Sequence, residues 1–228
     1  MAEISKNLTT IAIDGPAVSG KSSVGKAVAS SLGYKFLDTG LMYRAATWNT
    51  VQLDIDISDH NAVVSATRAM QIAIKAVSEH ENSIVVNGED VTQHLHAVTV
   101  DASVSAISAI NGVREIMVSQ QRSLASNGCI VIVGRDIGTF VVPDAKLKIY
   151  LTATAQTRAT RRYQDFCAAG LDVKFEEILQ SMEQRDLADS SRENSPLRPA
   201  DDAEVVDTDD MTMYQVVDRI IELFKAKV

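Results

Sequence analysis

Short runs rich in Val and Ile recur along the chain between longer stretches whose apolar positions repeat at helical spacing. The runs are Ile11–Ile13, Lys35–Leu37, Ile130–Val133, Lys148–Leu151 and Glu204–Val206, and their length and β-branched content predict strands. Strands alternating with helical segments predict an open, mainly parallel sheet covered by helices, an α/β architecture. Thr212–Lys227 carries Met213, Val216, Val217, Ile220, Ile221 and Phe224 at helical spacing, which predicts a C-terminal helix docked on that sheet. One segment breaks the rhythm. Gln71–Val77 alternates apolar and polar residues and is followed by Ile84–Val91 with Asn87-Gly88 inside it, the signal of a hairpin in a small antiparallel insert. From about Asp101 to Ala125 the pattern reads as helical, with Val104, Ile107, Val113, Met117 and Leu124 as core positions. Pro196 and Pro199 punctuate a polar stretch, Asp189–Asp202, that reads as a mobile loop.

Composition narrows the class. The 228 residues are 46% hydrophobic, enough to bury a core, so disorder is excluded. With 22 basic and 30 acidic side chains the net charge is −8, which disfavours binding nucleic acid through its phosphates. Met1–Thr10 has no apolar signal region, and no run is long and apolar enough for a membrane span, so a soluble, cytoplasmic protein is expected. Two cysteines, Cys129 and Cys167, are too few for a disulfide framework and are expected to serve packing. The histidines His60, His80, His94 and His96 form no metal-like set with them. No heptad seam points to a coiled-coil assembly, so a monomer is the default.

The strongest chemical signal follows the first strand. Gly15-Pro16-Ala17-Val18-Ser19-Gly20-Lys21-Ser22 fits G-x-x-x-x-G-K-[ST] without a mismatch. The glycines let successive N–H groups face one point, and a helix beginning near Lys21 adds its positive N-terminal end, so the segment makes a cradle for phosphate. Lys21 is placed to reach the β- and γ-phosphates, and the Ser22 hydroxyl to ligate Mg²⁺. Neither an Asn-Lys-x-Asp guanine reader nor an apolar strand ending in Asp-Glu is present, so phosphoryl transfer to a small molecule leads over a GTP switch or a motor ATPase.

Such a kinase must hold a second anion, and arginine suits the task because its fork binds phosphate oxygens in pairs. Arg44 follows the second strand and Arg135-Asp136 follows Ile130–Val133. Both lie at carboxyl ends of strands, where ligands bind in such sheets, and they are expected to converge near Gly15. Arg158, Arg161 and Arg162 lie close together on a predicted helix, where like charges repel unless an anion or solvent relieves them. Arg185, Asp189 and Arg192 share a stripe if Glu176–Arg192 is helical, and ion pairing among themselves is the simpler account of their spacing.

Taken together these motifs resemble the bacterial cytidylate kinases. The specific pieces are Ile13-Asp14-Gly15-Pro16-Ala17, Leu37-Asp38-Thr39-Gly40, Met42-Tyr43-Arg44, Gly134-Arg135-Asp136-Ile137-Gly138-Thr139, Pro143-Asp144-Ala145, and Arg185-Asp186 through Arg192 to Pro196-Leu197. The resemblance implies a P-loop NTPase fold: a central five-stranded parallel sheet flanked by helices, a small antiparallel β insert and a helical lid. It implies one nucleoside monophosphate kinase unit over 1–228, with a core of 1–60 and 126–228, a lid at about 155–195, and a monophosphate-binding region at about 61–125. The implied reaction moves the γ-phosphoryl of ATP, with Mg²⁺, onto CMP or dCMP, with neither nucleic acid nor membrane as partner.

Carried over by position, Gly15 through Ser23 resembles the ATP-phosphate loop. Thr39, Arg114 and Asp136 match the cytosine-reading set, Arg44, Arg135 and Arg192 the CMP-phosphate ligands, and Ser105, Arg185 and Asp189 residues near the ribose. Arg158, Arg161 and Arg162, with Lys21, resemble the catalytic cations, the arginines belonging to the lid. The base reading has a physical basis. A carboxylate accepting from cytosine N4 and an arginine donating to its acceptor edge would reject uracil. The chain departs from the family pattern at Leu95-His96-Ala97, where an arginine is usual, at Thr99, where an acidic residue is common, and at Val133, where a polar or acidic residue is often seen. Two alternatives remain open. Another P-loop kinase would differ in acceptor selectivity, and a nucleotide-sensing module would bind without turnover.

Overall fold

A computed structural model of the protein describes residues 9–78, 81–192 and 194–228. His80 and most of the Met1–Thr10 segment therefore lie outside the described residues. In chain order the elements are β1 (Thr10–Asp14), α1 (Lys21–Leu32), β2 (Lys35–Asp38), α2 (Thr39–Gln52), α3 (His60–Ala69), β3 (Ile72–Ser78), β4 (Glu81–Val86) and β5 (Glu89–Asp90). They continue with α4 (Val98–Ala109), α5 (Asn111–Ala125), β6 (Ile130–Gly134), β7 (Leu147–Thr152), α6 (Ala155–Ala168), α7 (Phe175–Ser190), β8 (Glu204–Asp207) and α8 (Met213–Lys227). Two compact units result: the described residues up to Leu37 with Ala125–Val228, and Asp38–Leu124.

The first unit holds a five-stranded parallel sheet in the order β2-β6-β1-β7-β8, as the strand pattern predicts. Every residue of β1 and β6 is buried, which is why these central strands read as unbroken apolar runs, whereas edge strand β8 varies in exposure along its length. Ile11, Ile13, Val133 and Ile149 pack with Val24 and Val28 of α1 and with Val216, Ile220 and Phe224 of α8. Thr212 caps α8 in a reciprocal capping box with Gln215, so the helix begins where its apolar period begins. Met213, expected in the core, is exposed at the first turn.

The second unit carries the antiparallel sheet β3-β4-β5. Asn87 and Gly88 join β4 to β5 with φ of 51° and 92°, the left-handed pair that a tight hairpin requires. The stretch read as helical over about Asp101–Ala125 is helical in two pieces, broken at Ile110, whose ψ is 119°. Gly112 lies so near α3 that a Cβ there would stand 2.7 Å from Val64. Val104, Ile107, Val113 and Met117 are buried as expected, but Leu124 is exposed. The polar stretch Asp189–Asp202 begins inside α7 and is tied down by the buried Leu197, whose N–H donates to the Asp189 carbonyl at 2.8 Å. Both cysteines are exposed and so do not serve packing.

Candidate active site

In the first unit, the turn between β1 and α1 is built as its spelling demands. Gly15 has a φ of 151°, and a Cβ on it would stand 2.0 Å from the Leu151 carbonyl of β7, so no other residue fits. Gly20, at φ 89°, caps α1, and its carbonyl accepts from Val24 N–H at 2.9 Å. The buried Lys21 ammonium donates to the Pro16 carbonyl and, at 3.3 Å, to Ser19 Oγ. Ser22 and Ser23 are exposed on the first turn of α1. Ala17 and Val18 are half-buried, and Val18 has a φ of 58°.

Two carboxylates organise what surrounds this turn. Asp14, the last residue of β1, is 3% exposed. Its Oδ1 accepts from Ile137 N–H and its Oδ2 from Gly138 N–H, each at 2.7 Å. Burial pushes its pKa up to about 6, against the lowering effect of those two N–H donors and of Lys21 and with a further push from Asp136. Ile137–Val141 forms one wide helical turn in which the carbonyl of the buried Asp136 accepts from both Phe140 and Val141 N–H, a geometry often met at functional sites.

Asp189, on α7 and 2% exposed, is the second. Arg135 Nε donates to its Oδ2 at 2.8 Å, and Arg192, just past the end of α7, pairs with its Oδ1. Burial alone would raise the Asp189 pKa, but the guanidiniums of Arg135 and Arg192, helped by Arg185 one turn back, hold it below the usual carboxylate range. Arg135 Nη1 also donates to the Gly15 carbonyl at 3.1 Å. The convergence on Gly15 expected for Arg135 is therefore present.

The three arginines of α6 have different partners within the protein. Arg158 turns inward, its Nε donating to the Ala153 carbonyl at 3.0 Å, its Nη1 to the Ala17 carbonyl at 3.1 Å, and its fork pairing with Asp186. Arg161 reaches the Thr208 carbonyl at 2.8 Å and its hydroxyl at 3.2 Å. Arg162 lies over the Phe166 ring, 4.4 Å from its centroid. Arg158 is thus joined to the phosphate loop, while the other two are occupied elsewhere in the first unit.

The remaining sequence candidates belong to the second unit. Thr39 is buried at the start of α2, a helix capped by Asp38, whose Oδ1 accepts from Gly40 N–H at 2.9 Å. Arg44 pairs with Asp101 at 2.6 Å and donates to the Leu95 carbonyl at 2.8 Å. Leu95 is buried, so the segment that departs from the family pattern still anchors Arg44 through its main chain. Arg114, buried on α5, donates to the Ser108 carbonyl at 3.3 Å, and its guanidinium carbon stands 5.6 Å from the Tyr43 ring centroid. Ser105 is half-buried on α4, its carbonyl accepting from Ser108 Oγ at 3.1 Å.

Sequence reasoning gave no role to Asp14 or Asp186. A signal for Asp14 was available, because an acid ending a wholly apolar strand must find compensation. For Asp186 there was none, since its partner Arg158 is 28 residues away.

The sequence profile described as Cytidylate kinase matches residues 11–226. A cytidylate kinase of Corynebacterium glutamicum is 46% identical over 218 residues, covering 95% of this chain and 94% of the relative. One from Geobacillus sp. (strain WCH70) is 42% identical over 223 residues, covering 98% and 99%. Among solved structures, a shikimate kinase from Bacteroides thetaiotaomicron superposes with a TM-score of 0.50 at 13% identity, covering 95% of this chain and 98% of that one, a likeness of fold alone. Identity near this level over nearly the whole length of both chains, together with the family profile, means that the chain belongs to the cytidylate kinase family of phosphotransferases.

Proposed function

We propose that the protein transfers the γ-phosphoryl group of ATP to CMP or dCMP, giving ADP and CDP or dCDP. The observation that carries this reading is the 3.1 Å hydrogen bond from Arg135 to the Gly15 carbonyl, which ties to the phosphate loop an arginine that shares Asp189 with Arg192. The acceptor's phosphate oxygen is already an anion at neutral pH, so in-line attack on the γ-phosphorus needs no general base. What the chain supplies is alignment and neutralising charge.

In this reading Gly15 to Ser23 cradles the ATP phosphates, and the Lys21 ammonium exchanges its loop acceptors for β- and γ-phosphate oxygens. Arg44, Arg135 and Arg192 bind the acceptor phosphate. Thr39, Arg114 and Asp136 read the base, and Ser105, Arg185 and Asp189 lie by the ribose. Arg158, Arg161 and Arg162 steady the charge that spreads over the transferring group, as parts of a lid at about 155–195 that excludes water. Among the described residues no group of three or more His, Cys, Asp or Glu side chains stands ready for a metal. Mg²⁺ in such enzymes is held largely by substrate phosphates with one or two protein oxygens, and here the Ser22 hydroxyl, exposed on the first turn of α1, would be the protein oxygen. When bound, Mg²⁺ neutralises charge on the β- and γ-phosphates.

ADP release from Mg-ATP with CMP, dCMP, UMP, AMP, GMP or shikimate, each against a control without acceptor, tests the proposal. Fast turnover confined to CMP and dCMP is expected. Turnover on another acceptor would reject the cytosine assignment, and ATP binding with no turnover on any would reject the kinase reading.

A further inference from the structure

Asp14 is a buried carboxylate that the mechanism above leaves unused. Both of its oxygens are spent on main-chain N–H groups of the loop after β6, at 2.7 Å each. A buried carboxylate is costly unless its lone pairs are filled, and here they are filled by consecutive residues of the segment that begins with Arg135 and Asp136. Gly138 packs closely here: a Cβ there would stand 3.2 Å from the stem of Lys148 and in ordinary contact, 3.4 Å, with Asp14 Oδ2. The residue after Asp14 is Gly15, whose carbonyl receives Arg135. One carboxylate thus fixes the start of the phosphate cradle and the Arg135–Asp136 segment to each other.

We propose that Asp14 is a positioning residue that holds the Arg135–Asp136 segment in register with the phosphate cradle. The proposal rests on the reading of Arg135 as an acceptor-phosphate ligand. Asparagine has nearly the same shape but offers only one acceptor, so its amide N–H₂ would face one of the two N–H groups and push that strand of the loop away.

The test is amide hydrogen exchange and steady-state kinetics on Asp14→Asn beside the wild type. Peptides covering residues 135–142 are expected to exchange about tenfold faster while those of α8 keep their rates. KM for CMP is expected to rise about fivefold with KM for ATP nearly unchanged, a split that a general loss of structure would not produce. Unaltered exchange over 135–142 overturns the proposal. Faster exchange with equal losses for both substrates sustains the positioning and places the fault in the reading of Arg135. If the variant does not fold, the wild type serves. The amide resonances of Ile137 and Gly138 should shift together with a midpoint near pH 6, among facing groups that include Lys21, Asp136 and Tyr150. The absence of a shared midpoint overturns the proposal.

Discussion

Asp189 and Asp186 lie one turn apart on α7 and hold arginines in opposite ways. Asp189 is almost wholly buried and shared by Arg135 and Arg192, so the trio keeps one positive charge that its own carboxylate does not cancel. Asp186, 26% exposed at its side chain, pairs with Arg158, and the pair is neutral. Arg158 is further saturated by the Ala153 and Ala17 carbonyls. An arriving phosphate therefore meets net attraction at the first cluster, whereas at the second it must displace a carboxylate. Two arginines on one carboxylate leave a charge that an anion can meet, whereas one arginine on one carboxylate closes on itself, so the number of arginines per carboxylate sets the difference.

Removing the shared carboxylate should have the largest effect. Asp189→Asn leaves two guanidiniums without their counter-charge, and breaking a buried pair in this way costs about 3 kcal/mol of stability. We expect kcat/KM for CMP to fall about 100-fold, with KM for ATP changed by less than about threefold, if Arg135 and Arg192 bind the acceptor phosphate as proposed. Urea denaturation and steady-state kinetics check both parts. Equal losses for ATP and CMP would erase the distinction between the clusters.

The pH dependence of that difference comes next. The folded-state pKa of Asp189 lies below its ordinary value, so the folded protein binds fewer protons than the unfolded chain wherever the unfolded carboxyl is protonated. The stabilisation is complete above an unfolded pKa of about 4 and is lost as the pH falls through the lowered folded value. The gap in unfolding free energy between wild type and Asp189→Asn should stay flat from pH 7 to about 4 and close below that. A gap that narrows between pH 7 and 5 would show that Asp189 is not held by its arginines.

A smaller change is expected at the neutral pair. Asp186→Asn retains the shape and a hydrogen-bond acceptor, and Arg158 keeps its two carbonyls, so about 1 kcal/mol of stability should be lost. Its kinetic effect, about fivefold, should fall on ATP, since Arg158 touches the phosphate loop at Ala17. A loss confined to CMP would make the two aspartates equivalent.

Which half of this comparison the sequence could foretell depends on distance along the chain. The cradle was legible because its function is main-chain geometry, and Gly15, Gly20 and Lys21 spell that geometry locally. The five strands were legible because a fully buried parallel strand cannot avoid a continuous apolar run. The break at Ile110 was not, since Val104, Ile107, Val113 and Met117 keep one period across it, and the only local sign was Asn111-Gly112. The arginines of α6 announced themselves as a cluster, and Phe166, four residues after Arg162 on the same helix, was within reach of spacing, but Asp186 and Thr208 come from distant parts of the chain. Spacing locates a charge on its helix; it does not say which neighbour in space will meet it.

The smallest expected effect concerns whether the α6–α7 pair is braced to the phosphate loop by Arg158 or by Val18. Val18 packs against the cluster of Ala159, Ile178 and Met182, although its φ of 58° suits a β-branched residue poorly. A left-handed conformation costs about 1–2 kcal/mol outside glycine, so Val18→Gly relieves that strain. The same change gives up about 1 kcal/mol of half-buried apolar contact, and a similar amount is lost to the greater freedom of glycine in the unfolded chain. These terms nearly cancel, and unfolding free energy should move by less than about 1 kcal/mol. The informative reading is the double-mutant cycle with Asp186→Asn. If Arg158 is the brace, the two changes add; a coupling well above about 0.5 kcal/mol would mean that the apolar contact and the ion pair hold the same joint together.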